Sequence, residues 1–372
     1  MEATPTQARP ARVVMALKVR DEGDVIEDNL RVHHALGVER FIITDNGSRD
    51  ETLEVLRRFE DAGLAHVIHE EGPFREGVME WMNRMARLAA TDFGAEWVLH
   101  GDADEFWLPA AGTLAETLGC VRPEYGAVVA PRSEFMGRPD GPGPFHERLT
   151  VREARASLRP KLAHRADPRV VVLDRGAHNV ASLDDDTTPR HGSERAVLRG
   201  AHAPGIGGDD VRFVWAPWWP LRVLHFPVRS LAQIRRRIEV LLYEAGFTDK
   251  GRRARLRERY EAEGAERIYA GLIAGDEAVR SGLETGEMVR DARLSELLAR
   301  CPDPLGPEAP APGSVRVQPA PDDLAAELAM LEQDAMRAIS RAHFRVTMAQ
   351  KRLLDRVERL ERRLAAATEE TA

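Results

Sequence analysis

The chain has 372 residues, 43% of them hydrophobic and 31% charged, with a formal net charge of -8. This composition excludes a disordered chain, and the negative balance excludes a general nucleic-acid binder, whose surface would be basic. Cys120 and Cys301 are too few for a disulfide framework or a cysteine-rich zinc site, which fits a reducing, cytoplasmic setting.

The N-terminal MEATPTQARPAR has no apolar core of a signal peptide, and no run nears the roughly 18 apolar residues of a membrane span. A soluble protein is expected, with peripheral attachment to a membrane left open. Val13 to Val19 then reads as a buried strand. Asp24, with Glu27 three residues on, predicts a capped helix carrying Ile26, Leu30 and Leu36 and ended by Gly37. Phe41 to Thr44 is a second strand. After the turn at Asp45-Asn-Gly, Ser48 and Glu51 predict another cap, and Leu53, Leu56 and Phe59 a helical stripe closed by Gly63. Ala65 to Ile68 is a third strand, Glu76 to Ala90 a helix, and Glu96 to His100 a fourth strand.

Strand and helix in alternation predict an α/β fold, a parallel sheet with helices on both faces. Further strands are expected at Ala127–Ala130, Val170–Leu173 and Leu221–Leu224, and a helix capped by Ser230 with Gln233. The stretch Arg252 to Arg300 is charged and helical. The organisation expected is a main domain over residues 12–240, a helical extension over 241–301, a Pro/Ala-rich linker over 302–321, and a C-terminal amphipathic helix over 322–366. In that helix Val346, Leu353, Val357, Leu360 and Leu364 form a coiled-coil-like seam. It suits a homo-oligomer contact or packing on its own domain, and the sequence does not choose between them.

Ligands of such sheets bind beyond the carboxyl ends of the strands, and acidic residues cluster there. Glu22 follows the first strand, Asp45 the second, Glu70 and Glu71 the third, and Asp102, Asp104 and Glu105 the fourth. Three carboxylates within four positions repel one another unless a cation offsets them. If the extended backbone persists, Asp102 and Asp104 share a face, and two hard oxygen ligands suit Mg²⁺ or Mn²⁺ bound together with substrate phosphates. The competing reading is that they cap a turn or pair with arginines. Asp184-Asp-Asp186 reads as a polar loop. His178 and His225, each just beyond a strand, could complete a metal shell, and Arg159, Lys161 and Arg229 beside them suit a leaving diphosphate.

The series Lys18-Val-Arg-Asp-Glu22, His34-Ala-Leu-Gly37, Asp45-Asn-Gly-Ser-Arg-Asp50 with Thr52, and Asp102-Ala-Asp-Glu-Phe106 resembles the family 2-like glycosyltransferases of GT-A fold. It is most similar to the branch in which Asp-x-Asp continues as Asp-Glu-Phe. Lys161, Gly176-Ala-His178 and His225-Phe-Pro-Val-Arg-Ser230 also resemble that branch. The resemblance spans roughly residues 12 to 240 and rests on several motifs in the expected order. It implies a GT-A, Rossmann-like, mostly parallel sheet and a nucleotide-sugar donor. It also implies a glycan, lipid or small-molecule acceptor and, in the usual case, an inverting reaction. Asp45 would contact the nucleoside, Asp102 the ribose or metal, and Asp104 the metal. His178 or His225 would add a ligand or a diphosphate contact, and Glu22, Lys161 and Arg229 would lie along the donor. Arg-Asp-Glu stands here where Lys-Asn-Glu is frequent, which leaves Arg20 and Asp21 without a role. Glu134 and Glu105 are the candidates for the catalytic base.

Two rival readings use the same scaffold. A sugar-nucleotide nucleotidyltransferase would carry a Gly-rich basic loop after the first strand, where Arg20-Asp-Glu-Gly-Asp24 stands instead. A non-catalytic sugar- or partner-binding protein would not need intact acidic motifs.

Overall fold

In a computed structural model, residues 9–72, 74–121, 126–172, 180–182, 220–244 and 250–319 are described. Every side chain of β1 (Val13–Val19) is buried. Strand alternation sends Val13, Met15, Leu17 and Val19 into one core, and Val14 and Ala16 into another on the opposite face. A strand covered on both faces is the centre of a layered α/β fold. The alternation continues through α1 (Ile26–Ala35), β2 (Val38–Asp45), α2 (Thr52–Asp61), β3 (Ala65–His69), α3 (Phe74–Thr91) and β4 (Trp97–Asp102). β1 runs parallel to β2 and β4, and β2 parallel to β3. Leu30 of α1 and Phe59 of α2 fill the first core, while Val78, Trp81, Met82 and Met85 of α3 fill the second. Full burial of such side chains stabilises by about 1.5–3 kcal/mol each.

The remaining elements are β5 (Glu105–Pro109), α4 (Leu114–Gly119), β6 (Ala127–Glu134), α5 (Phe145–Arg148), β7 (Val151–Glu153), β8 (Ser157–Arg165), β9 (Val170–Val172), β10 (Val180–Ser182), β11 (Leu221–His225), α6 (Leu231–Glu239), α7 (Lys250–Ala270), α8 (Asp276–Thr285), β12 (Met288–Arg290) and α9 (Arg293–Leu298). The main sheet has the order β3-β2-β1-β4-β8-β6-β11-β5. Its first four strands are parallel. β8 is antiparallel to β4 and β6, β11 is parallel to β6, and β5 is antiparallel to β11. The sheet is therefore mixed beyond β4. β9 stands outside it, paired with β10, and β12 pairs with β7.

Gly37 and Gly63 close α1 and α2 with positive φ, as read from the sequence, and Ser230 accepts the Gln233 N–H at the start of α6. The other two caps differ. Val25 and Glu51, not Asp24 and Ser48, occupy the N-cap positions, and neither makes a side-chain cap. Asp24 pairs instead with Arg229, and Ser48 accepts the Asp21 N–H. The Pro-rich stretch read as a linker docks on the body through Gly313 N–H to His34 O (3.1 Å), Val315 N–H to Ala35 O (2.9 Å) and Val317 N–H to Gly112 O (2.8 Å). His178, Asp184–Asp186 and the seam from Val346 to Leu364 lie outside the described residues. No helix among the described residues is long and apolar enough to cross a membrane.

Candidate functional site

The chain leaves β4 at Asp102, turns through Ala103 and Asp104, and enters β5 at Glu105. The extended backbone does not persist across Asp102-Ala-Asp104, so the two aspartates go to different partners. Asn29 of α1 holds the turn, donating to the carbonyls of Ala103 and Glu105 at 2.9 Å each. The Phe226 N–H donates to Asp104 O at 2.9 Å. Beneath it Phe226 stacks on Phe135 at 4.1 Å between centroids and meets Phe106 and Phe145 edge-on. A packed aromatic floor fixes the turn.

Asp102 accepts from the ammonium groups of Lys18 and Lys161, the latter at 3.2 Å, and its side chain stays 38 % exposed. Burial alone would raise its pKa, but the two ammoniums outweigh it and hold Asp102 well below the carboxylate range. Lys161 is itself buried and also meets Glu105 at 2.6 Å. It has no exposed edge for a diphosphate, contrary to the sequence expectation, and serves to brace the two acids.

Sheet register explains the next group. On β11, His225 lies opposite Glu105 of β5 and Glu134 of β6. Its Nδ1 meets Glu134 at 2.5 Å, and its Nε2 points at Asp104 Oδ2 from 3.6 Å. Burial would lower the imidazole pKa, yet Asp104 and Glu134 push it up to about 10. Asp104 is held down to about 2, because His225 and Arg229 more than offset its burial. Glu105 is fully buried, accepting the Asp102 N–H (3.0 Å) and pairing with Lys161 and Arg132. Both Glu134 oxygens are engaged, by Arg132 at 2.7 Å and by His225. Despite burial, those hydrogen bonds and charges lower the Glu134 pKa. Neither glutamate therefore fits the expected role of catalytic base.

Arg229 differs most from expectation. Its guanidinium is wholly buried and meets Glu22 at 2.5 Å, Asp24 at 2.8 and 3.0 Å, Asp104 at 3.5 Å and the Phe226 carbonyl at 3.2 Å. It clamps three carboxylates from two loops and has no reach to a donor diphosphate. Glu22 is pushed up to about 7 by burial, against the pull of Arg229. The loop after β1 is zipped to the loop after β2. Asp21, at φ 53, accepts the Arg49 N–H, Gly23 N–H meets Asp50, and Glu22 N–H meets Thr52. Asp45 is buried, accepts the Ser48 N–H at 3.2 Å and lies 3.5 Å from His69 Nδ1. Asp45 and Asp102 flank β1 one residue out of step, Asp45 opposite Val19 and Asp102 opposite Lys18. Two strand spacings set their backbones roughly 10 Å apart. Glu70 turns away to Arg84.

Six carboxylates (Glu22, Asp24, Asp102, Asp104, Glu105, Glu134) thus meet five cationic side chains (Lys18, Arg132, Lys161, His225, Arg229). The chain supplies most of the charge that crowding requires. Among the described residues no group of three or more His, Cys, Asp and Glu side chains gathers as a metal shell. The Asp104–His225 pair nonetheless suits a divalent ion. Glu134 takes Nδ1 and leaves Nε2 facing a carboxylate, the orientation that a second-shell acid gives a metal-bound histidine. Asp102, occupied by two lysines, does not share that pair.

Lys18, Asp24, Asn29 and Arg132 were missed in the sequence. Lys18 had a signal, as the one charge in the apolar run Val13 to Val19.

No protein-family model matches the chain, and a search of curated proteins finds no match. Solved structures give partial likenesses. S. aureus TarS (residues 1–349) is 18% identical, covering 42% of this chain and 47% of that one, at a TM-score of 0.27. Glucosyl-3-phosphoglycerate synthase from Mycobacterium tuberculosis, in complex with phosphoglyceric acid, is 20% identical over 33% and 44%, at 0.23. A mycobacterial protein is 20% identical over 33% and 41%, at 0.24. The chain spans under half the length of each, and likenesses this slight carry no inference.

Proposed function

We propose that the chain is a metal-assisted glycosyltransferase of GT-A type, moving a sugar from a nucleotide-sugar donor to an acceptor hydroxyl. Residues 12–240 would form the transferase unit and 241–301 its helical extension. The observation that carries the reading is the meeting of Asp104 and His225 beside Asp102, at the carboxyl edge where Asp45 and Glu22 also lie. The motif order in the sequence supplies the rest.

In this reading Asp45, braced by Ser48, meets the nucleoside. Asp102, steadied by two lysines and exposed along one edge, accepts a ribose hydroxyl. Asp104 and His225 Nε2 would hold Mn²⁺ or Mg²⁺, with His178 the candidate third ligand. Such an ion stabilises negative charge on a leaving diphosphate. Glu134 is a positioning residue that sets the His225 tautomer. Arg229 keeps the loops carrying Glu22 and Asp104 at a fixed separation.

The test is nucleoside diphosphate release from a panel of nucleotide sugars with Mn²⁺ or Mg²⁺, comparing wild type with Asp104→Asn and His225→Gln. Release that needs the metal and falls at least about a hundredfold in both variants is expected. Undiminished, metal-dependent turnover in Asp104→Asn would overturn the assignment. The internal pairing of every carboxylate favours one rival, a non-catalytic sugar-binding scaffold. Donor binding with no release from any nucleotide sugar would choose it.

A further inference from the structure

A cleft of about 640 Å³ lies apart from the carboxylate edge, between α8 and the β7–β12 pair. Its lining includes Val151, Val279 and Leu283, and Val151 and Val279 belong to a small buried cluster with Ala274. Around this apolar floor stand Arg138, Arg148, Arg280 and Arg290, against only Asp276 and Glu284. Four guanidiniums facing two carboxylates leave a surplus of two positive charges.

The arginines are not equivalent. Arg138 is committed, paired with Asp276 and donating to Ala274 O at 2.6 Å. Arg148 donates to the carbonyls of Pro139 (3.2 Å) and Arg229 (3.1 Å), so no carboxylate offsets its charge among the described residues. Its Nε is buried with no hydrogen-bond partner. Arg290 pairs through its backbone with Val151 of β7, which places it beside the floor. The side chains of Arg280 and Arg290 make no hydrogen bond or ion pair with any described residue. Glu284 lies one turn beyond Arg280 on α8, and pairing of those two would still leave the same surplus.

Guanidiniums without carboxylate partners around an apolar floor suit planar, multidentate recognition of an oxyanion attached to a small organic body. A surplus of two charges matches a dianion, and the volume exceeds what a bare ion fills. We propose that this cleft binds a small molecule carrying a dianionic phosphoryl group, held by Arg148, Arg280 and Arg290. The site is independent of the transferase reading. Arg148 contacts the Arg229 backbone, and the Met136 N–H donates to Val151 O just beyond Glu134, so the cleft wall adjoins the carboxylate edge without sharing a side chain of its cluster.

The test is calorimetry and thermal shift on the full chain with neither nucleotide nor divalent ion present. Inorganic phosphate, glycerol phosphate and acetate are compared at constant ionic strength. Both phosphates should bind and raise the melting temperature, glycerol phosphate at least as strongly, and acetate should do neither. Arg280→Ala and Arg290→Ala should each weaken phosphate by about tenfold, leaving the unliganded melting temperature unchanged because both side chains are exposed. Glu284→Gln should tighten it. Phosphate binding that is equal in wild type and the Arg280→Ala/Arg290→Ala double variant, or equal response to acetate, would overturn the proposal. Failure here leaves nucleoside diphosphate release untouched, so the two readings stand or fall separately.

Discussion

Arg229→Met removes a buried cation of matching volume and leaves three carboxylates facing one another. Breaking a buried pair by deleting one partner costs roughly 3–5 kcal/mol. The low end applies here, about 3 kcal/mol, because Glu22 and Asp24 keep 26 % and 28 % exposure and water can screen them. For a chain of 372 residues that corresponds to a fall in melting temperature of roughly 4 °C. The pH dependence is diagnostic. Asp104, held to about 2, contributes stability above its unfolded value that is lost as pH falls through about 2. Glu22, raised to about 7, contributes stability that is present below its unfolded value and lost as pH rises through about 7. Without Arg229 the first contribution shrinks and the second loss extends to higher pH. The gap between wild type and variant should therefore be widest near pH 8 and narrow below pH 4. Urea unfolding followed by tryptophan fluorescence measures it, with Arg229→Lys falling between the two. Equal midpoints at pH 7.5, or one constant deficit from pH 4 to 8, would refute the clamp.

Asp102→Asn should raise the KM for donor about tenfold with a smaller change in kcat, read from initial rates, because it weakens a ribose contact and not the leaving group. His33 accepts the Trp107 N–H at 2.8 Å from within the core, so His33→Phe should cost about 1–3 kcal/mol by urea unfolding. Burial lowers the pKa of His33 and His164 to about 4, so each loses stability only as pH falls from about 6.5 toward about 4, on the order of 1.4 kcal/mol per pH unit. His164→Gln should flatten that part of the urea-midpoint profile. A Cβ on Gly119 would run into the Arg9 carbonyl oxygen, so Gly119→Ala should destabilise by about 1–3 kcal/mol, measured by thermal unfolding.

The parallel half of the fold was legible because its signals are local. Apolar runs such as Val13–Val19 stand out on their own, and the helices between them are closed by Gly37 and Gly63 at positive φ. β5 and β8 were not legible. Each acquires its identity from a distant partner, β11 for the first and β4 and β6 for the second, and β8 carries Arg159, Lys161 and His164 in place of an apolar run. The capping signatures at Asp24 and Ser48 failed for the same reason, since those side chains find better acceptors and donors on other loops. The acidic cluster was legible as a cluster. Its partners were not, because Lys18, Arg132 and Arg229 reach it from three separate elements.

That difference bears on how the site can work. Had one ion held all the acids, its removal would leave them repelling and the edge would open. Here the pairs Lys18–Asp102, Lys161–Glu105 and Arg229–Asp24 hold the backbone of the edge without an ion. The Asp104–His225 contact, at 3.6 Å, is looser than those pairs, and it is there that a metal ion could take the place of the His225 Nε2 proton. An edge arranged beforehand by fixed charges needs little reorganisation when a charged ligand arrives. The fold should accordingly be indifferent to chelators in the absence of ligand. A chelator that lowered the melting temperature of the unliganded protein by several degrees would show that an ion, and not the arginine and lysine clamps, holds the edge together.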